Sequence, residues 1–188
     1  MEEEVQVKKR ILKNELSLYP CPILLVTSQL GNIKNVLTVS WSGIASSHPE
    51  YITISINKKR YSHSLIVNSG IFAANVINED LLFAADYCGS YSGKAIDKFE
   101  HCRFTTSNGT LIDVPLIDAC PVNIECKVED TIDLGSHDLI IGKVLVKWIS
   151  NDINDSELHE KLRPAVYFRP YYYNLNSTIL GEYGKTHT

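Results

Sequence analysis

The segment Glu50–Asn57 (EYITISIN) places Ile52, Ile54 and Ile56 on one side of an extended chain and Tyr51, Thr53 and Ser55 on the other. A period of two fits a strand with one buried face. It does not fit a helix, whose faces repeat about every 3.6 residues. Pro121–Asp130 repeats the pattern, with Val122, Ile124, Cys126 and Val128 against Asn123, Glu125, Lys127 and Glu129. His137–Ser150 reads as one long strand. Ile140, Gly142, Val144, Val146 and Trp148 share a face, Lys143 and Lys147 lie opposite, and Gly142 marks a bulge or tight bend.

Ile, Val and Thr fill 43 of the 188 positions, so side chains suited to a pleated surface are spread along the whole chain. Further strands are expected at Ile23–Ser28, Val36–Trp41, Ile71–Val76 and Arg103–Thr106, with a hairpin turn in Leu30–Asn35. Helices are few and short. Ser62–Ser69 follows a turn, Asn78–Tyr87 opens on an asparagine cap with an early acidic residue, and Asp155–Leu162 stops at Arg163-Pro164. The fold class is therefore mainly β, a closed or nearly closed antiparallel barrel with a few peripheral helices. The chain reads as a single domain over 1–188, with a core of about 19–170 and a polar, tyrosine-rich tail from about 171 to 188 whose end is mobile.

Several function classes drop out. The net charge of −4 and the pI near 5.8 do not suit a nucleic-acid partner. The longest uninterrupted apolar runs are only a handful of residues, such as Ile23–Val26, which leaves no membrane-spanning helix. The opening MEEEVQVKKR lacks the order of a secretory signal, so a cytoplasmic location is expected. Cys21, Cys88, Cys102, Cys120 and Cys126 are odd in number and widely spaced, with no CxxC pair, which argues for reduced thiols over a disulfide framework or a metal site. There is no GxGxxG after a strand, no Walker loop, no HExxH and no GxSxG elbow.

Four clusters remain. Thr38–Ser47 runs into His48-Pro49 and is rich in small hydroxyl residues, which let backbone amides approach a planar ligand; it also reads as a plain serine-rich strand and loop. Lys58-Lys59-Arg60-Tyr61-Ser62-His63-Ser64 joins cations and hydroxyls to a helix start, the ingredients of a phosphate site or of a solvated basic turn. Asp86–Phe99 is a helix end, a glycine-containing loop and another short helix. Gly135-Ser136-His137-Asp138 sits at the mouth of the longest strand, where a histidine can line a pocket.

Taken in order, Asn35–Trp41, Pro49 to Ile56, Arg60-Tyr61-Ser62-His63, Ala84–Gly89 with Ser92-Gly93 and Asp97–Phe99, and Gly135–His137 with Ile141–Val144 resemble the flavin reductase-like family, over about Tyr19 to Ile149. The resemblance implies an antiparallel, Greek-key FMN-binding split β-barrel that forms a homodimer with FMN near the interface. It implies a cytoplasmic flavoprotein exchanging electrons with NADH, NADPH or a protein donor. It assigns Asn35, Thr38, Val39, Ser40 and Trp41 to the strand beside the flavin, and Ser46 and Ser47 to the next contacting turn. Arg60, Ser62, His63 and Ser64 fall at the phosphate end, Ser92 and Lys98 on the glycine-containing loop, and His137 at the flavin face where a nicotinamide would stack. Lys98 would bring positive charge toward the ring. The same residues also admit a flavin binder without turnover, used for storage or sensing.

Overall fold

The structure is a computed structural model in which residues 18–175 are described; the readings made on the extreme N-terminus and on the end of the tail lie outside those residues. In chain order the strands are β1 (Cys21–Pro22), β2 (Leu24–Leu30), β3 (Ile33–Val39), β4 (Ser42–Ser47), β5 (Glu50–Asn57), β6 (Ile71–Val76), β7 (Thr106–Asn108), β8 (Pro115–Ile117), β9 (Val122–Asp133), β10 (His137–Ile149), β11 (Ala165–Phe168) and β12 (Tyr171–Asn174). The helices are α1 (Tyr61–Ser69), α2 (Leu82–Ser90), α3 (Lys98–His101) and α4 (Leu158–Lys161). None of the described helices is long and apolar enough to cross a membrane.

Seven strands form one antiparallel sheet in the order β3-β2-β6-β9-β10-β5-β4. Its two edge strands, β3 and β4, are joined by Ser40 and Trp41 alone. In a flat sheet, six spacings of about 4.8 Å would part the edges by about 29 Å. Three Cα–Cα steps from Val39 to Ser42 span at most about 11 Å. The sheet must therefore roll until its edges meet. They meet without a β3–β4 ladder; the contact is one hydrogen bond across to β5, from Ser55 N–H to the Trp41 carbonyl at 2.8 Å. The barrel is closed by the chain and split along a seam.

The expected alternation fills the barrel. Ile54, Ile56, Cys126 and Ile140 pack with Leu24, Val26, Phe72 and Ala74 inside it, and Ile66 of α1 joins them. A second core of Leu25, Val36, Ile77, Cys88, Phe99 and Ile117 lies outside the sheet under α2 and α3, so β2 is buried on both faces. The β2–β3 hairpin turns at Gly31-Asn32, with Gly31 at φ 57°.

Three expectations are corrected. Trp148 does not share the face of Ile140 and Gly142. The β9–β10 register shifts between Val144 and Val146, which turns Val146 and Trp148 onto the face of Glu125. Arg103–Thr106 is not a strand: Arg103 takes φ 53° after α3, and β7 begins only at Thr106. Asn78 precedes a single 3-10 turn (Glu79–Leu81) and makes no side-chain cap bond, so the helix proper starts at Leu82. At the start of the tyrosine-rich tail, β12 pairs with β11.

Gly142 does mark an irregularity, between Ile141 and Gly142 in the same register. Packing requires a glycine there: a Cβ would overlap the ring of Phe72, which is fully buried.

Candidate functional site

The seam holds a cleft of about 220 Å³. One wall is Leu37–Trp41, the backbone that crosses from edge to edge. The other is Ser55–Asn57 of β5, with Arg60 and His137 at its ends. A larger groove of about 890 Å³ shares Ser40, Trp41 and Ser55 with it and extends to Tyr19, Ser42, Tyr167 and Arg169. Together they reach the size range of cofactor sites. Ser42 Oγ borders the groove, and it is buried without a hydrogen-bond partner among the described residues.

Arg60 occupies the N-cap position of α1 with extended backbone (φ −73°, ψ 138°). Its side chain caps nothing, forms no ion pair among the described residues, and lines the cleft. The first N–H groups of a helix have no acceptor inside it and carry a partial positive charge. An uncompensated guanidinium therefore stands beside an anion-favouring helix end.

His137 opens β10. Its ring packs on the Trp41 indole with centroids 4.9 Å apart, and Nδ1 lies 2.9 Å from Ser136 Oγ. Trp41 remains 43% exposed, so the pair is a partly open aromatic wall rather than core. Thr38 turns its hydroxyl away from the cleft to the Ala85 carbonyl of α2, leaving its backbone at the site. The Val39 side chain belongs to the barrel core.

Asn35 and Ser62 lie beneath the surface, both buried. Asn35 Nδ2 donates to Ser62 Oγ at 2.8 Å and ties the first turn of α1 to β3. Gly93 comes so close that a Cβ there would overlap Asn35 Oδ1, which seats the Ser92 loop on the same amide. His63 Nε2 is 2.7 Å from Asp138 Oδ2. Lys58 Nζ approaches Asp138 Oδ1 at 3.3 Å and Asp133 at 2.5 Å. The His63 bond first, and Lys58 with it, hold the Asp138 carboxyl below its usual range against the opposing effect of burial.

The remaining expected residues stand apart from both cavities. Ser46 and Ser47 lie at the end of β4 far from Trp41, opposite Tyr51 and Glu50. Ser64 is exposed and donates to the Tyr61 carbonyl. Ser92 is exposed and accepts from Lys94 N–H. Lys98 is 2% exposed, and its ammonium donates to the carbonyls of Val36 (2.9 Å) and Cys88 (2.7 Å). Burial lowers its pKa. Its charge is spent inside the second core.

Sequence reasoning gave no role to Asp138 or Asn57. Asp138 is a carboxylate at the start of β10, opposite Ile56 and next to His137, and that placement was its signal. Asn57 stands at the end of β5, where its Oδ1 accepts from Lys59 N–H.

The sequence matches the family model described as Flavin reductase like domain over residues 16–176. An uncharacterized protein of Archaeoglobus fulgidus is 33% identical over 128 residues, 68% of this chain and 72% of that one. The NADPH-flavin oxidoreductase of Streptomyces viridifaciens is 27% identical over 128 residues, 67% of this chain and 65% of that one. Flavoredoxin of Desulfovibrio vulgaris (Miyazaki F) has the same fold, with a TM-score of 0.87 and 26% identity over 96% of this chain and 100% of that one. A rolled sheet split at Ser40-Trp41, a cationic helix start at its seam and a family match over most of the sequence agree: the chain belongs to the flavin reductase-like family.

Proposed function

We propose that the chain is an FMN-dependent oxidoreductase, with the cofactor lying along the seam. The observation that carries the reading is Arg60: an unpaired cation at the N-cap of α1, facing the cleft lined by the Thr38–Trp41 backbone. The residues present fit a phosphorylated, planar cofactor. Arg60 and the first-turn N–H groups suit its phosphate. The Thr38–Trp41 backbone and the unpartnered Ser42 hydroxyl suit a flat heteroaromatic edge.

Bound there, FMN would supply hydride acceptance from a reduced nicotinamide and electron transfer to a second acceptor. The chain's own part is to bind, orient and shield. Arg60 holds the phosphate end. The backbone from Thr38 to Trp41 fixes the ring edge. The Trp41–His137 wall orients a nicotinamide, for which NADH and NADPH are the candidate donors. The name of the Streptomyces relative is in keeping with that donor class. We also propose a homodimer. Ile44, 87% exposed on the edge strand β4, and the open groove beside it are surface that a second copy would cover.

Purified protein is expected to carry, or to take up from added FMN, the visible absorbance of a flavin. NADH or NADPH under argon is expected to bleach it. His137→Ala is expected to keep the flavin and slow the bleaching. Protein that binds FMN but is not reduced by either nicotinamide would be a binder rather than a reductase, and equal reduction rates in the variant would remove His137 from the mechanism.

A further inference from the structure

All five cysteines are free thiols, and two of them touch. Cys88 Sγ lies 4.0 Å from Cys102 Sγ, and no other pair of cysteine sulfurs is in contact among the described residues. Cys88 stands in the last turn of α2, and Cys102 is the C-cap of α3. Two neighbouring contacts hold those helix ends together. Tyr87 and His101, each one residue before a cysteine, stack with centroids 3.8 Å apart and planes 8° apart. The Lys98 ammonium donates to the Cys88 carbonyl at 2.7 Å. The separation of the sulfurs is thus set by groups other than the thiols. The two thiols are not equivalent. Cys88 is fully buried in the core under α2 and α3, while Cys102 is half-buried at its edge. Burial raises the pKa of both; at Cys102 the Cys88 S–H and the Lys98 ammonium act in the opposite direction. An oxidant arriving from solvent therefore meets Cys102 first. Cys21 is also half-buried, but its S–H donates to the Leu18 carbonyl and has no second sulfur beside it.

We propose that Cys88 and Cys102 are an oxidation site, which hydrogen peroxide closes into a disulfide that locks α2 to α3. The Cys102 thiolate attacks one peroxide oxygen, the O–O bond breaks, and Cys102 becomes a sulfenic acid as hydroxide leaves. The Cys88 thiolate then attacks the Cys102 sulfur, the S–O bond breaks, and a second hydroxide leaves. The two hydroxides take up the two thiol protons. In sum, two thiols and one peroxide give one disulfide and two waters. The sulfurs must approach by about 2 Å to reach a bond of about 2.05 Å. The same helix pair braces the strand that lines the cleft. Lys98 also donates to the Val36 carbonyl of β3, and the Thr38 hydroxyl of β3 donates to the Ala85 carbonyl of α2. The proposal does not depend on the FMN reading.

The test is peptide mapping of the full chain, reduced and then treated with hydrogen peroxide. Remaining thiols are blocked with iodoacetamide in denaturant before digestion. Cleavage after Lys and Arg puts Cys88 in peptide 61–94 and Cys102 in peptide 99–103, so the bond shows itself as those two peptides joined. The expected result is the joined pair, with Cys120 and Cys126 recovered alkylated and the link undone by dithiothreitol. Closing the stretch Cys88–Cys102 is expected to raise the Tm of the oxidised protein by about 5–10 °C. Cys102→Ser should show neither the joined pair nor the rise, with Cys88 recovered alkylated. If that variant does not fold, the wild-type map and its melting carry the test. Peptides 61–94 and 99–103 recovered apart, Cys102 driven to sulfinic acid beside an alkylated Cys88, or a joined pair with no rise in Tm would each overturn the proposal.

Discussion

Glu125→Gln keeps the shape of a side chain that is fully buried on the outer face of β9. In the wild type Oε1 accepts from Thr110 N–H (2.9 Å), Thr110 Oγ1 (3.2 Å) and Trp148 Nε1 (2.9 Å). Oε2 accepts from Leu111 N–H (2.9 Å) and Ile112 N–H (3.2 Å). The carboxylate thus ends a loop that has no regular partner of its own and pins it to the sheet. A glutamine can satisfy one side of this set. Its amide group then faces the N–H groups of Leu111 and Ile112, donor against donor. Two unmet N–H groups at about 1–3 kcal/mol each, lowered by the exposure of Leu111, give a loss of about 2–4 kcal/mol. For a chain of this size that is a fall in Tm of about 4–16 °C.

The pH dependence has a definite sign. Burial alone would raise the pKa of Glu125, but the bonds from Thr110, Trp148 and Leu111 outweigh it and hold the carboxyl below the usual range. Its contribution is present above the unfolded value of about 4.3 and is lost as pH falls through the lower folded value. Thermal denaturation of flavin-free wild type and variant at neutral pH and near pH 3.5 reads both effects. The gap between them should narrow in acid. A Tm unchanged by the substitution at neutral pH would refute the reasoning.

Two further substitutions test close approaches. Gly142→Ala drives a methyl into the ring of Phe72 and is expected to cost about 1–3 kcal/mol by overpacking, read as a lower midpoint in urea; a neutral result would mean that Phe72 yields to the added methyl. Gly93→Ala pushes on Asn35 Oδ1 and is expected to free Ser62, loosening the first turn of α1. FMN affinity should fall more than overall stability does, and the opposite order would separate the Ser92 loop from the site.

The barrel was legible because its signal is local. Glu50–Asn57 and Ile71–Val76 form strands over those same residues, and the burial of Ile54 and Ile56 follows from a period of two. Phase along a strand survives only until a bulge, and the one near Leu145 moved Trp148 to the opposite face. The period of two placed Glu125 on the face of Lys127 but gave no sign of its burial, because its donors lie on a loop 13–15 residues upstream and at Trp148 of β10, where no pattern in β9 reports them. The site was legible in part. Thr38–Trp41, Arg60 and His137 converge on one cleft. Lys98 illustrates the limit. A lysine after a glycine-containing loop has the same letters whether its ammonium faces a ligand or two carbonyls, and packing by Phe99 and Cys88 decided for the carbonyls.

The central claim is that a cofactor phosphate is held at the seam by Arg60. Titration of flavin-free protein with FMN, followed by fluorescence quenching for wild type and Arg60→Ala, tests it most directly. The predicted result is saturable binding of one FMN per chain, weakened about tenfold or more in the variant, since one charge-assisted bond is worth about 1.5–3 kcal/mol. Equal affinities in the two proteins, or no saturable binding by the wild type, would contradict it.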